Sequence, residues 1–144
     1  MASPDVQEGV YRLRFKVPKE AIDVNGHVNN VTWVQWMQDL AVAHWEHVGG
    51  MRVNHDYEAT WVARSHHIEY LRPGFEGDSI EALTWVANIG RVRSLRKYAF
   101  RNEEDGKLMA RGETDWVFVS VANGHPRSIP NETHGILPVS EDPA

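Results

Sequence analysis

Between residues 23 and 30 the chain places a carboxylate (Asp23), an imidazole (His27) and three amides (Asn25, Asn29 and Asn30), separated by Gly26 and two valines. This stretch is too polar for a core strand. It runs directly into "VTWVQWMQDLAVAHWEHVGG", the longest apolar helical pattern in the chain. A helix N-terminus has N–H groups without partners and the positive end of a dipole. Such an end stabilises an anion, including the oxyanion that develops during acyl transfer. Asp23 beside it could act as general base or nucleophile, while Asn25 and His27 could polarise a carbonyl or hold a water. Asp, Asn and Gly are also ordinary turn residues, and Asn29 or Asn30 can be a helix cap and nothing more. Spacing alone leaves both uses open.

Other groupings carry less chemistry. His44 and His47 stand three residues apart on the helix, with His55 and Asp56 following. A zinc site needs three or four converging ligands, and no H-E-x-x-H pattern occurs, so we expect no metal and no cofactor. His66 and His67 are neighbours on a strand, and their rings must point to opposite faces. Arg91, Arg93, Arg96 and Lys97 form the densest basic cluster, to be read either as an anion clamp or as a solvated turn. Six tryptophans are many for 144 residues. They suit core or pocket walls, and Trp33, in the first helical turn beside the polar loop, is the best pocket candidate.

The elements that must position these residues follow from periodicity. Tyr11, Leu13, Phe15 and Val17 alternate with Arg12, Arg14 and Lys16 in a half-buried strand. Trp33, Met37, Leu40, Ala41, His44 and Val48 fall at helical spacing, and the helix is apolar over most of its girth, as if wrapped by other structure. Gly49-Gly50 ends it. A polar loop over 51–60 is expected next. Strands are expected at 61–71, 79–87, 94–101 and 108–121, with Asp105-Gly106 as a hairpin turn. Residues 1–8 and 138–144 read as loose tails of a single domain. The pattern predicts an α+β fold in which about five antiparallel strands, paired in sequence, curve around one long helix.

Totals narrow the classes. The net charge of −5 and the lack of a basic stripe argue against a nucleic-acid binder. The chain has no cysteine, which excludes disulfides and thiolate chemistry. It shows no apolar run long enough for a signal peptide or a membrane span, so the expected location is the cytoplasm.

The string "DVNGHVNNVTWVQWM" resembles the signature loop and helix start of the hotdog-fold acyl thioesterases. It is most similar to the branch holding plant acyl-ACP thioesterases and 4-hydroxybenzoyl-CoA-thioesterase-like proteins. "HIEYLRPGFEGD" and "RGETDWVFVSVANGHPRSIP" resemble later strands of that family. The resemblance spans nearly the whole chain. It implies a hotdog fold, hydrolysis of an acyl-CoA or acyl-carrier-protein thioester without a metal, and a homodimer or homotetramer with sites between subunits. It assigns Asp23 as nucleophile or general base, with Asn25 and His27 beside it, and backbone amides at Val28, Asn29 and Asn30 as oxyanion donors. It makes Arg91 and Arg93 candidates for coenzyme A phosphates or a carrier protein, and Ser94 a candidate contact to the pantetheine arm. The chain departs from the family where plant enzymes carry an acid after the "EY" strand; Pro73-Gly74 stands there, flanked by Glu69 and Glu76. Where bacterial relatives carry a helical Glu, it has Gln38 and Asp39. A hotdog hydratase acting on enoyl thioesters and a non-catalytic acyl-CoA-binding module are the alternatives.

Overall fold

A computed structural model describes residues 4–143. Six strands form one antiparallel sheet: β1 (Asp5–Gln7), β2 (Val10–Lys16), β3 (Ala59–Tyr70), β4 (Ser79–Ile89), β5 (Arg93–Asn102) and β6 (Leu108–Ser120). Helix α1 (Asn30–His47) packs on one face, followed by α2 (Gly50–Tyr57), and a single turn, α3 (Thr133–Ile136), comes near the end.

The sheet order is β1-β2-β4-β5-β6-β3. The alternating segments expected as strands all form strands. Their pairing corrects the expectation of sequential neighbours: β3 joins β6, with Ala59 opposite Ser120 and Tyr70 opposite Ala110, and does not pair with β4. The turn after β3 instead carries the chain across to the far side of β5. β3 is thereby left at an edge, with residues 63–67 exposed.

Three further expectations are corrected. A sixth strand, β1, pairs Asp5 with Arg12 in part of the segment read as a loose leader; residues 1–3 of that leader lie outside the described residues. The C-terminal segment is pinned at its start, where Ser140 N–H donates to Val86 O at 2.9 Å. The expected polar loop after Gly50 is helix α2; Val53 is the one large apolar side chain that it buries, which leaves no apolar period to read.

Helix α1 is less enclosed than its composition suggests. It buries Trp33, Met37, Leu40, Ala41, His44 and Trp45, while Val31 and Val42 stay exposed. The buried stripe meets Tyr11, Ile80, Tyr98, Phe100 and Met109 from the sheet. Its C-terminal half joins a second cluster with Val53, Phe118, Ile129 and Leu137. Helix and sheet are in close contact at Gly112, where a Cβ would lie 2.8 Å from both Met37 Sδ and His67 O. Overpacking at such a contact costs about 1–3 kcal/mol. Gly112→Ala is therefore expected to lower the thermal unfolding midpoint by several degrees, measured by circular dichroism.

Candidate active site

The polar segment folds into a miniature hairpin. Ile22 and Val28 bridge antiparallel, and Asp23 N–H donates to His27 O at 3.0 Å. Gly26 N–H returns to Asp23 O at 3.0 Å, closing a turn in which Gly26 has φ of +84°. Only glycine occupies that region without strain, so Gly26 is set by the turn. Asp23 Oδ1 accepts from Asn25 N–H at 2.8 Å in an Asx turn. Oδ2 has no partner among the described residues. Asp23 is half-buried and Asn25 exposed.

Two ties fix the hairpin to the body. Val28 N–H donates to Gly74 O at 2.8 Å, and Asn29 N–H donates to Ala21 O at 2.9 Å. These bonds correct the expectation that the amides at Val28 and Asn29 are free for an oxyanion: both are consumed in holding the loop. Asn29 is the helix cap, its Oδ1 accepting from Val31 N–H at 2.8 Å. Asn30 is then the first helical residue, and its N–H has no partner among the described residues. Its carbonyl accepts from the Tyr70 hydroxyl at 3.0 Å, joining the end of β3 to the helix start. The His27 ring stands edge-on to Phe75, centroids 6.4 Å apart. Around the loop, Val24, Val31, Tyr70, Leu71 and Phe75 are exposed, an apolar rim about a polar centre.

The other expected residues lie elsewhere. Trp33 is core, 2% exposed, with Trp36 and Phe100 each 5.2 Å from its ring, which corrects its reading as a pocket wall. Asp39 is exposed and accepts from Gln35 Nε2 at 2.9 Å. Nine residues along the helix from Asn30 place it roughly 14 Å from the loop. Glu69 pairs with Arg111 at 2.9 Å, and Glu76 is exposed. The basic cluster is split as well. Arg91 is exposed, Arg93 pairs with Asp115 through Nε and Oδ1 at 3.2 Å, and Arg96 is inside the protein. Four converging cations are not present there. Among the described residues no group of His, Asp and Glu is disposed to hold a metal, and no helix is long and apolar enough to cross a membrane.

Arg96 is the residue the sequence reading misplaced. Ser94, Arg96, Tyr98 and Phe100 share one face of β5, and since Tyr98 and Phe100 read as inward, strand parity alone places Arg96 inside. It is 4% exposed, and its Nη1 donates to His44 Nδ1 at 2.8 Å and Thr84 Oγ1 at 3.1 Å. Since Arg only donates, His44 Nδ1 is an acceptor and its proton sits on Nε2, which is buried without a partner among the described residues. Burial, then the charge of Arg96, brings the His44 pKa down to about 3, so the ring is neutral. Burial also lowers Arg96 to about 10, leaving it a cation at neutral pH.

Arg96 and Ser94 line a cavity of about 200 Å³ walled by Trp45, Trp61 and Trp116. Its walls include no residue of the 23–30 loop. Ala41, its first helical residue, lies eleven positions along α1 from Asn30, roughly 16 Å.

A long helix laid on a curved antiparallel sheet, with a polar loop at the helix start, is the hotdog fold, and the chain belongs to the thioesterase-like superfamily. The model of that superfamily matches residues 17–137. A similar curated protein is the chloroplastic acyl-[acyl-carrier-protein] hydrolase FATB3 of Cuphea viscosissima, 25% identical over 155 aligned residues covering 100% of this chain. The chain spans 37% of that relative's length. Among solved structures, the 12:0-ACP thioesterase of Umbellularia californica superposes with a TM-score of 0.83 at 18% identity, covering 96% of this chain and 56% of the other. YbaW, a probable thioesterase of Escherichia coli, gives 0.80 at 17% identity, covering 88% and 95%.

Proposed function

We propose that the protein hydrolyses an acyl thioester of coenzyme A or acyl carrier protein, with Asp23 activating water or attacking the thioester carbon. The observation that carries this is the Asp23 carboxylate: one oxygen is fixed by the Asn25 N–H, the other has no partner among the described residues, and neither has the Asn30 N–H at the helix start that the loop runs into. In this reading the carbonyl oxygen rests against that helix end, where the dipole favours developing negative charge. Asn25 and His27 orient the water or the thioester. Water adds to the carbonyl carbon, the carbon–sulfur bond breaks, and the thiolate takes up the proton that Asp23 removed from the water.

The tryptophan-walled cavity, if it takes the acyl group, begins roughly 16 Å along α1 from the loop of its own chain, and a second copy removes the difficulty. β3 is an edge strand of twelve residues, and such an edge invites pairing. Two copies pairing antiparallel about the middle of β3 bring the start of one strand level with the end of the other. Thr60 and Trp61, at the start, line the cavity; Tyr70, at the end, holds Asn30. The exposed apolar rim around the loop would be covered in the same step. We therefore assign the active unit as at least a homodimer in which the acyl group lies in one copy and Asp23 comes from the other. Sedimentation at micromolar concentration should return at least twice the 16.4 kDa chain mass; a monomer with full activity would exclude the shared site. Hydrolysis itself is tested with acyl-CoA and acyl-carrier-protein thioesters, reading thiol release with a thiol-reactive dye. No release across the panel would overturn the assignment.

A further inference from the structure

A buried guanidinium with no carboxylate beside it needs a reason. Among the described residues no ion pair engages Arg96, although six other arginines are paired. Both of its hydrogen bonds run from Nη1 to neutral acceptors, and Nε and Nη2 have no protein partner among the described residues. The guanidinium lines the tryptophan-walled cavity. Of the other polar groups there, the Ser94 hydroxyl donates to Asn88 O at 3.0 Å and Asn54 Oδ1 accepts from Trp45 Nε1 at 2.8 Å, while Thr60 adds a neutral hydroxyl to the lining. Glu46 also lines the cavity, as an exposed side chain in water. Apolar walls with one desolvated, planar donor describe a site for an apolar segment ending in an anionic acceptor, and the fork of an arginine matches a carboxylate.

We infer that this cavity receives the far end of the acyl group and that Arg96 binds a carboxylate there, so the preferred thioesters carry a second carboxyl group at the end of the chain. This rests on the reading of the protein as a thioesterase, and it names the substrate class. An apolar cavity of roughly 150 Å³ holds benzene. The cavity here, about 200 Å³, suits an acyl group of comparable bulk.

Two measurements on the full-length protein decide it. In the first, thiol release is followed for succinyl-, glutaryl-, adipyl- and suberyl-CoA against butyryl-, valeryl-, hexanoyl- and octanoyl-CoA. The wild type should favour the best carboxyl-ended substrate over its methyl-ended counterpart by at least tenfold in kcat/KM, and Arg96→Met should abolish that preference. In the second, hexanoate and 1-hexanol are titrated against tryptophan fluorescence, a readout that needs no hydrolysis. Hexanoate should bind at least tenfold more tightly in the wild type. If Arg96→Met does not fold, the wild-type preferences decide alone. Equal or better turnover of the methyl-ended series overturns the inference while leaving hydrolysis intact, even if hexanoate binds, because the cavity would then be a product site. If no thioester of either series and none of the acyl-carrier-protein panel is cleaved, the thioesterase reading falls; if neither series is cleaved, the hexanoate titration alone decides the role of Arg96: a carboxylate-dependent advantage supports it, and its absence overturns it.

Discussion

Asp23→Asn is expected to lower thioester turnover by about 10²–10³-fold or more, the loss typical when one group that stabilises the transition state is removed. The substitution suits the test because of the local structure. Asparagine keeps an Oδ1 that can accept from the Asn25 N–H, so the Asx turn survives. The backbone bonds from Asp23 to His27 and Gly26 do not involve the side chain. What changes is the charge and basicity of the second oxygen. The expected pattern is a collapse of kcat, an unfolding midpoint within a degree or two of wild type, and unchanged oligomer mass. Wild-type turnover in this variant would exclude Asp23 from the chemistry. Oxygen-18 appearing in the Asp23 carboxylate after turnover in labelled water would identify attack by the carboxylate itself.

The second large effect is on stability and is driven by acid. His44 is buried beside Arg96 and titrates near 3 in the folded protein, against an ordinary value of 6.5. Burial is the main cause, followed by the positive charges of Arg96 and His47; the other ring facing it, Tyr11, is neutral at these pH values. Between those two values the unfolded chain binds a proton at His44 and the native chain does not. Stability therefore falls as pH drops below about 6.5, by roughly 1.4 kcal/mol per unit for an isolated group, and this group adds no slope above that range. The unfolding midpoint should be clearly lower at pH 5 than at pH 7. His44→Asn places an amide oxygen where Nδ1 accepts from Arg96 and cannot titrate, so its midpoint should vary less over the same range, whatever its absolute stability. Equal slopes for the two proteins would show that His44 is not the group responsible.

The sequence made the elements legible because each has a clean period: alternation in β2, β4, β5 and β6, and helical spacing from Trp33 to His44. Pairing was not legible, since a strand's own residues do not say which edge it joins; β3 looks like a neighbour of β4 and lies beside β6. Helix α2 escaped because burying one large apolar side chain leaves no pattern. At the candidate site, the loop's residue types suggest the chemistry proposed for it, but residue type cannot show which amides are already bonded. Val28 and Asn29 were candidates as donors until Gly74 and Ala21 proved to hold them. Arg96 was misread for the opposite reason. Its charge placed it with Arg91 and Arg93, while its position in β5 placed it with Tyr98.

The loop hairpin is polar and lies at the surface, yet it is not free to drift. Its N–H groups at Val28 and Asn29 are locked onto the turn after β3 and onto the 3₁₀ turn at 19–21. Deuterium should enter those two positions at the pace of the framework, and sooner at Val24, whose N–H has no partner among the described residues. The Asp23 side chain would then keep its orientation without help from a bound molecule, and ligand arrival would leave the exchange pattern of the hairpin almost unaltered.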